Sequence, residues 1–270
     1  MAEKKIAIIT GASSGLGSKL AKLVDAGVGP DKDIDIDEIW LIARRENKLK
    51  ELAESLNTPA RTISMDLTNA AFVDEMQGLL ATERPNVRVL INCAGFGKIG
   101  DSESIAVKDQ MNMIDLNCRA AVAMSQITVP YMTANARLVE ICSCSGFQPL
   151  PYLNVYAASK AFLYRYSRAL GVELRKKGVK VVAVCPYWVK DTEFIGKASS
   201  GGTAATDTSR FIKSFPLASD SDTIAQNIYK GILRGLAVVT PDAVSTTHRV
   251  LCKVLPAAIC MFIWEGVRKL

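Results

Sequence analysis

Residues 5–17 read Lys5-Ile-Ala-Ile-Ile-Thr10-Gly11-Ala-Ser-Ser-Gly15-Leu-Gly17. The apolar run from Ile6 to Ile9 is typical of a strand in a parallel sheet that is covered on both faces. Glycines at positions 11, 15 and 17 permit a tight turn into a helix that begins at once. They also leave room for a pyrophosphate, to which the helix N-terminus offers unpaired N–H groups. This stretch therefore predicts a dinucleotide site at the first strand-to-helix turn.

The rest of the chain repeats the alternation of β-branched apolar runs with amphipathic segments. We predict seven strands: Lys5–Thr10, Glu38–Ala43, Thr62–Asp66, Val87–Asn92, Leu138–Ser143, Val179–Cys185 and Ala237–Thr240. We predict helices in the gaps: Gly15–Ala26, Glu46–Leu56, Asn69–Ala81, Asp109–Met132, Val155–Lys177 and Ser221–Leu233. The pattern indicates an α/β fold: a single doubly wound domain whose seven-stranded, mainly parallel sheet carries helices on both faces.

Two segments depart from this rhythm. Residues 198–209 are rich in Ser, Thr, Gly and Ala, and long polar insertions in compact domains often form binding loops. We therefore predict a substrate lid over residues 198–215 within a catalytic domain of residues 1–247, followed by an apolar helical extension over residues 248–270.

The second segment is the C-terminal tail, Arg249–Leu270, where apolar residues recur four apart. Its longest uncharged run, Val254–Trp264, is shorter than the roughly 20 residues that span a bilayer, and Pro256 should kink or divide the helix. We favour packing against the core or a partner subunit. Two alternatives are a wall of an apolar substrate pocket and a surface that rests on a membrane through its basic residues.

Composition excludes several classes of protein. Apolar residues make up 49% and charged residues 22% of the chain, which is ordinary for a globular domain. Lys and Arg are spread along the chain and do not form a long basic block. The net charge of +6 therefore indicates a solvated surface and not nucleic-acid binding. The one histidine is His248, and Cys142-x-Cys144 has no second cysteine pair, which argues against a metal site.

The acidic loop Asp31–Asp37 and the cysteines carry no evident site. The loop has Ile36 where a calcium loop needs Gly and Ile42 where it needs Glu, so we expect a solvated loop. Met1–Lys5 runs straight into the first predicted strand without a secretory leader. We therefore expect a cytoplasmic protein whose seven cysteines are reduced.

Tyr156 and Lys160 lie four residues apart at the start of a predicted helix, and therefore on one face of it. An ammonium near a phenol favours the phenolate and lowers the phenol's pKa toward working pH. Such a tyrosine can donate a proton to a ketone oxygen or accept one from an alcohol. Ser143, at the end of a predicted strand, can hydrogen-bond the same oxygen.

These features together resemble the short-chain dehydrogenase/reductase family. The resemblance runs from Lys4 to about Thr240 and rests on four features in the family's order: Thr10-Gly-x-x-x-Gly-x-Gly17, Asn92-Cys-Ala-Gly95, Ser143, and Tyr156-x-x-x-Lys160. It implies a Rossmann-type domain, a nicotinamide cofactor and a homodimer or homotetramer.

The resemblance also implies roles for individual residues. Ser143 would position the substrate carbonyl, Tyr156 would transfer the proton, Lys160 would bind the nicotinamide ribose, and Asn117 would support a water-linked proton path to Lys160. Together with Tyr156 and Lys160, the expected cofactor contacts are Thr10, Gly11, Ser13, Ser14, Gly15, Leu16, Arg44, Arg45, Asp66, Leu67, Asn92, Ala94, Gly95, Pro186, Val189 and Thr192.

The end of the second predicted strand indicates which dinucleotide binds. The strand ends in Arg44-Arg45, where an NAD site usually has a carboxylate, and Arg can bind a 2′-phosphate. We therefore favour NADP(H). If the two arginines are instead solvated and do not contact the cofactor, NAD(H) remains an alternative. The segment after the sixth strand departs from the family pattern, since Tyr187 replaces a glycine and Asp191 takes a threonine's place. That leaves open whether Thr192 reaches the nicotinamide.

Aromatic and aliphatic residues flank the catalytic segments, which favours a bulky apolar ketone or secondary alcohol such as a steroid or bile acid. A 3-oxoacyl reductase and a non-catalytic NADP-binding regulator are the alternatives. The intact Ser143, Tyr156 and Lys160 set argues against the regulator. Serine hydrolase chemistry is excluded, because His248 lies in the tail and Ser143 lacks a nucleophile-elbow context.

Overall fold

A computed structural model of the chain describes residues 3–28, 34–199 and 211–270. Seven strands form one sheet in the order β3-β2-β1-β4-β5-β6-β7, and every neighbouring pair is parallel. The strands are β1 Lys5–Thr10, β2 Glu38–Ala43, β3 Ala60–Ser64, β4 Asn86–Asn92, β5 Met132–Ile141, β6 Lys180–Val184 and β7 Val238–Val239. The predicted doubly wound sheet is confirmed.

Helices cover both faces of this sheet. They are α1 Gly15–Ala26, α2 Glu46–Glu54, α3 Phe72–Glu83, α4 Val107–Ile114, α5 Ala121–Thr128, α6 Asn154–Glu173, α7 Glu193–Ser199, α8 Ser221–Leu233, α9 Ala243–Val254 and α10 Ala257–Val267. A π-helical segment, Asp115–Ala120, joins α4 to α5. Within the described residues, no helix is both long and apolar enough to cross a membrane.

Alternate residues of each strand supply the two layers of the core, because successive side chains of a strand point to opposite faces. On one face Ile9 and Leu41 pack with the buried residues of α1 and α8. On the other face Ile8 and Trp40 pack with α3 and α5. All four side chains are fully buried, so the central strands are apolar on both sides, as their sequences predict.

The chain order reverses between β1 and its neighbour β4, because β2 and β3 lie to one side of β1 and β4 to β7 lie to the other. In open α/β sheets, ligands bind at such a switch point, outside the carboxyl ends of the strands. The glycine turn after β1 and the segment after β4 both lie there.

Several element boundaries differ from the sequence prediction. β5 begins six residues before the predicted Leu138, because Met132 pairs with Val87 across an irregularity in the ladder. The predicted helix over Asp109–Met132 contains the π-helical segment and ends at Thr128. The short helix α7 was not predicted, since seven residues carry too little apolar periodicity.

The tail forms two helices, and the predicted break at Pro256 is confirmed. Pro256 precedes α10, where its missing N–H costs no helical hydrogen bond. α9 begins earlier than the predicted extension, at a capping box in which the Asp242 carboxylate accepts from the Ser245 N–H at 2.7 Å. Residues 31–33 of the acidic loop and 200–210 of the predicted lid lie outside the described residues.

Glu140 is a fully buried carboxyl in β5. Its Oε1 accepts hydrogen bonds from Ser125 Oγ at 2.6 Å and Asn92 Nδ2 at 3.0 Å. Within the described part of the chain, its Oε2 has no hydrogen-bond partner. Burial raises the pKa of Glu140 to about 7, although the hydrogen bonds from Ser125 and Asn92 and the charge of Lys160 oppose the rise. The folded protein therefore favours the neutral carboxyl.

This shift predicts a pH-dependent contribution to stability. The folded pKa lies above the unfolded one, so the contribution is complete below the unfolded pKa and is lost as pH rises through about 7. We expect the free energy of unfolding of the wild type, relative to Glu140→Gln, to fall by up to ~3 kcal/mol between about pH 4 and about pH 9. Denaturant titrations of both proteins at the two pH values measure this difference. A difference that does not change with pH would contradict the assignment.

Candidate active site

A cavity of ≈ 1250 Å³ lies at the carboxyl ends of the strands. The glycine turn, the end of β2, the segment after β4 and the start of α6 all line it. The sequence prediction placed a cofactor turn and a proton-transfer set at one site, and the structure brings them together around this cavity.

The glycine turn is shaped by close backbone approach. Gly11 has φ +68°, and a Cβ there would lie 2.8 Å from Ala94 N. Gly15, at the start of α1, has φ +54°. Side chains at these two positions would be strained or would clash with the loop after β4. The turn is thus a smooth cradle at a helix N-terminus, which fits a dinucleotide pyrophosphate.

Thr10 and Asn92 do not line the cavity, although both were predicted as cofactor contacts. Thr10 Oγ1 accepts hydrogen bonds from Cys93 N at 3.0 Å and Ala94 N at 3.1 Å, so it ties the end of β1 to the loop after β4. Asn92 Nδ2 donates away from the cavity to Ser125 Oγ and Glu140 Oε1. Thr10 therefore positions the loop after β4, and Asn92 joins the end of β4 to α5 and β5.

The predicted phosphate-binding end contains two arginines. Arg44 is exposed and lines the cavity. Arg45 donates to both Ser13 O and Ser13 Oγ at 3.2 Å, and its Nη1 pairs with Glu193 Oε1 at 2.9 Å. The ion pair links the end of β2 to α7. Sequence reasoning missed Glu193, since no local pattern places α7 beside Arg45.

Asp66 and Leu67 line the neighbouring part of the cavity. Burial acts to raise the pKa of Asp66, but hydrogen bonds from Thr68 N at 2.9 Å and Thr68 Oγ1 at 2.8 Å, together with the charge of Arg44, hold it below the ordinary value. Asp66 is therefore a fixed anionic acceptor beside the predicted adenine position.

Ser143 and Tyr156 form the centre of the site. Ser143 caps a short 3₁₀ helix, where its Oγ accepts from Ser145 N at 3.1 Å. The Ser143 side chain also lies beside the Tyr156 phenol, whose pKa it acts to lower. Tyr156 is buried, with 7% of its surface exposed. One carbonyl oxygen can therefore be reached by both hydroxyl groups.

Lys160 lies one helical turn from Tyr156, with its Nζ 5.9 Å from the centre of the phenol ring. Nζ donates to the Ile141 carbonyl at 2.7 Å. Burial lowers the pKa of Lys160, and among the described residues no carboxylate forms an ion pair with it.

The sequence predicted that Lys160 lowers the pKa of Tyr156. With only the protein's own groups around the phenol, this prediction is wrong. Burial raises the pKa of this phenol, and the Ser143 side chain opposes the rise only in part. The reason is that the structure buries Tyr156 and Lys160 together, so desolvation acts on both. The phenol is therefore held protonated, ready to donate.

Asn117 lies in the π-helical segment and does not line the cavity. Its Nδ2 donates to Phe96 O at 2.9 Å and Ser159 Oγ at 3.0 Å, and its Oδ1 accepts from Phe96 N at 3.1 Å. A Cβ on Gly95 would lie 2.9 Å from Asn117 Oδ1 and 3.3 Å from Lys160 Nζ. Asn117 therefore fixes the loop beside Lys160; the water-linked path stays a prediction.

The segment after β6 closes over the glycine turn. Cys144 N donates to Pro186 O at 3.0 Å, which joins this segment to the Ser143 turn. Thr192 Oγ1 donates to Val189 O at 3.1 Å, and the Thr192 side chain lies within 4 Å of a Cβ placed on Gly15. Pro186, Val189 and Thr192 all line the cavity.

Aromatic rings form much of the remaining wall. The ring of Phe194 lies 5.5 Å from that of Tyr156 and 6.5 Å from that of Trp188. Leu150, Leu153 and Tyr187 also line this part. It therefore offers an apolar space beside the Ser143 and Tyr156 hydroxyl groups.

The tail supplies the opposite wall. Its cavity-lining residues include His248, Leu251, Ile263 and Trp264. Trp264 Nε1 donates to Pro151 O at 3.1 Å, and Arg268 Nη1 donates to Phe211 O at 2.9 Å. The structure supports packing against the core, which the sequence favoured, and also the pocket-wall alternative, and the apolar recurrence in the tail was the signal for both.

A family model described as short chain dehydrogenase matches residues 5–201. An uncharacterized oxidoreductase from Staphylococcus epidermidis is 32% identical over 190 residues, 69% of this chain and 79% of the relative. A very-long-chain 3-oxoacyl-CoA reductase from Bos taurus is 30% identical over 194 residues, 68% of this chain and 59% of the relative.

Two solved structures are similar over nearly the whole chain. A short-chain dehydrogenase from Sphingobium yanoikuyae in complex with NADPH has a TM-score of 0.72 at 25% identity, covering 94% of this chain and 97% of that one. A bulky-bulky ketone specific alcohol dehydrogenase from Comamonas testosteroni has a TM-score of 0.69 at 23% identity, covering 94% and 95%. The second similarity establishes the fold alone.

Proposed function

The chain belongs to the short-chain dehydrogenase family, and we propose that it interconverts a bulky apolar ketone and the corresponding secondary alcohol with NADP(H). Family membership makes it a nicotinamide-dependent oxidoreductase that acts on CH–OH groups. The choice of NADP(H), the substrate class and the residue roles are our proposals. The observation that carries them is the neighbouring pair Ser143 and Tyr156, which lines one cavity with the glycine turn.

The proposed mechanism assigns one task to each side chain. Ser143 Oγ and the Tyr156 hydroxyl both hydrogen-bond the substrate's carbonyl oxygen, which fixes the carbonyl plane. The glycine turn would hold a nicotinamide dinucleotide, which would supply or accept the hydride at the carbonyl carbon. Tyr156 donates its proton to the carbonyl oxygen as negative charge develops there, and it takes the proton back when an alcohol is oxidised. The Lys160 ammonium lies close to the phenol and can donate hydrogen bonds to a ribose at the predicted position.

Burial of the set supports this assignment. Tyr156 and Lys160 are at most 7% exposed, and Ser143 is 8% exposed. A substrate bound over them excludes water from the reacting oxygen, where hydrogen bonds gain strength in the lower dielectric.

Two arginines support NADP(H). Arg44 and Arg45 both line the cavity at the end of β2, where a 2′-phosphate of NADP would need cationic donors. Ser13 lies beside them and contacts Arg45. The relative from Sphingobium yanoikuyae was solved with NADPH, in line with this proposal.

The size and chemistry of the cavity support a bulky apolar substrate such as a steroid or bile acid. Its ≈ 1250 Å³ exceeds the usual ~300–1,000 Å³ of a small-molecule site, which leaves space beyond a cofactor. The aromatic wall and the tail enclose that space. A 3-oxoacyl thioester is the second candidate, and the name of the Bos taurus relative favours it.

A substrate panel tests the proposed function. Purified protein with NADPH or NADH is supplied with a ketosteroid, cyclohexanone or a long-chain 3-oxoacyl-CoA, and the absorbance of the reduced nicotinamide is followed. We expect the highest kcat/KM for the ketosteroid with NADPH. Preference for the thioester would replace the ketone proposal with the second candidate. Cofactor binding without turnover of any compound would favour a non-catalytic regulator.

Phe194→Ala tests the aromatic wall. Phe194 contacts the Tyr156 ring and has no polar role, so its truncation removes apolar contact with a large substrate. We expect kcat/KM for the ketosteroid to fall by about 10–100-fold, and that for cyclohexanone to change much less. The matched control is Phe162→Ala, a half-exposed phenylalanine on α6 that does not line the cavity. Equal losses for both ketones would contradict a role in substrate size selection.

A further inference from the structure

We propose that the outer surface of α9 and α10 rests on an anionic lipid bilayer, so that the cavity takes an apolar substrate directly from the membrane. The identity of the substrate in this inference rests on the proposed function. The membrane contact itself is independent of the proposed function. The surface, called here the tail face, comprises Val250, Leu251, Val254, Ile259, Phe262, Ile263 and Leu270.

Exposure is the first observation. Val254, Phe262 and Leu270 are 76%, 81% and 78% exposed, and the other four residues are 42–57% exposed. Val250 and Val254 lie one turn apart on α9, as do Ile259 and Ile263 on α10. Large apolar side chains gathered in this way mark an interaction surface rather than the usual scatter of exposed residues.

Charge is the second observation, and it favours anionic headgroups. Residues 249–270 contain the cations Arg249, Lys253, Arg268 and Lys269, and one acid, Glu265. Glu265 is paired with Arg268 and lies 3.9 Å from Lys269. Arg268 is buried against Glu265 and Phe211 and Arg249 is only partly exposed, so Lys253 and Lys269 are the exposed cations of the tail. Apolar side chains next to exposed lysines are typical of a segment that lies in the plane of a membrane interface.

Continuity with the cavity is the third observation. Leu251, Ile263 and Leu270 are exposed on the tail face and also line the cavity. Leu217, which is 74% exposed, does the same from outside the tail. The rim of the cavity therefore belongs to the apolar surface.

This continuity distinguishes a bilayer from a second copy of the chain. A protein partner seated on the tail face would cover the cavity rim and hinder substrate entry. A bilayer would instead present dissolved apolar molecules to that rim. With 12 and 11 residues, α9 and α10 are each too short to span the membrane, so they lie on it.

Vesicle co-sedimentation tests the contact without any substrate. The full chain is mixed with vesicles of phosphatidylcholine alone or with phosphatidylglycerol added. The double variant Val254→Ser/Phe262→Ser removes two of the most exposed residues, neither of which lines the cavity. The control Val107→Ser/Phe162→Ser removes exposed apolar residues, 73% and 49% exposed, from α4 and α6.

We expect the wild type and the control to bind anionic vesicles, and the tail variant to bind at least ten-fold more weakly. Binding to phosphatidylcholine alone should be weaker for all three. Turnover of cyclohexanone should be equal in the three proteins, while the KM for a vesicle-borne ketosteroid should rise in the tail variant alone. That loss cannot arise from misfolding if cyclohexanone turnover is retained.

Equal vesicle binding by the tail variant and the wild type would overturn the proposal. A second result would also overturn it: the wild type does not bind vesicles, and the variant with Val254 and Phe262 replaced sediments as a smaller species than the wild type. The tail face would then be an interface between copies of the chain. Vesicle binding in a protein that reduces no ketone would sustain the membrane contact and defeat the proposed function.

Discussion

Tyr156→Phe lowers kcat by about 10²–10⁴-fold and leaves the Kd for the cofactor nearly unchanged. The variant keeps the ring, which contacts Phe194 and lies below Lys160 Nζ. It removes only the hydroxyl, which lies beside Ser143. The reduction of a ketone then lacks its proton donor, because burial keeps bulk water from the carbonyl oxygen. Stopped-flow measurement of ketone reduction and fluorescence titration with NADPH give the two quantities.

The matched control is Tyr164→Phe. Tyr164 lies on the same helix, where it meets Phe147 edge-on, and it does not line the cavity. Its loss of a hydroxyl should leave kcat near the wild-type value. If Tyr156→Phe retained wild-type turnover, the proton would come from another group and the assignment would fail.

Arg44→Asp reverses the preference between NADPH and NADH. We expect the Kd for NADPH to rise by about 10–100-fold, since the loss of a charge-assisted contact costs ~1.5–3 kcal/mol and the new carboxylate repels the 2′-phosphate. The Kd for NADH should fall, because a carboxylate at the end of β2 can accept from the ribose hydroxyls. Titration with both dinucleotides measures the change.

Two further variants serve as controls for the Arg44→Asp result. Arg165→Asp makes the same charge change at an exposed position on α6 outside the cavity lining, and it should leave both Kd values nearly unchanged. Arg44→Gln removes the cation without adding an anion, so it should weaken NADPH binding while leaving NADH binding alone. An unaltered preference in Arg44→Asp would place the phosphate elsewhere, with Arg45 as the next position to replace.

Local signals were sufficient for the first unit of the fold. β1 and α1 have the predicted bounds, Lys5–Thr10 and Gly15–Ala26, because an apolar strand, a glycine turn and an amphipathic helix are each specified by neighbouring residues. The bounds of β2 and α8 were also predicted correctly. β5 was not, because Met132–Arg137 lacks the β-branched apolar run of the other strands and is held in the strand by pairing with β4.

The site shows the same division. The glycine positions and the four-residue spacing of Tyr156 and Lys160 determined the candidate cofactor cradle and the candidate proton-transfer set, since backbone freedom and helix periodicity depend on sequence alone. Only the tertiary structure decided that Thr10 and Asn92 face away from the cavity, that Glu193 pairs with Arg45, and that desolvation raises the pKa of Tyr156. Each of these depends on residues distant in sequence, whose approach the packed sheet and its helices determine.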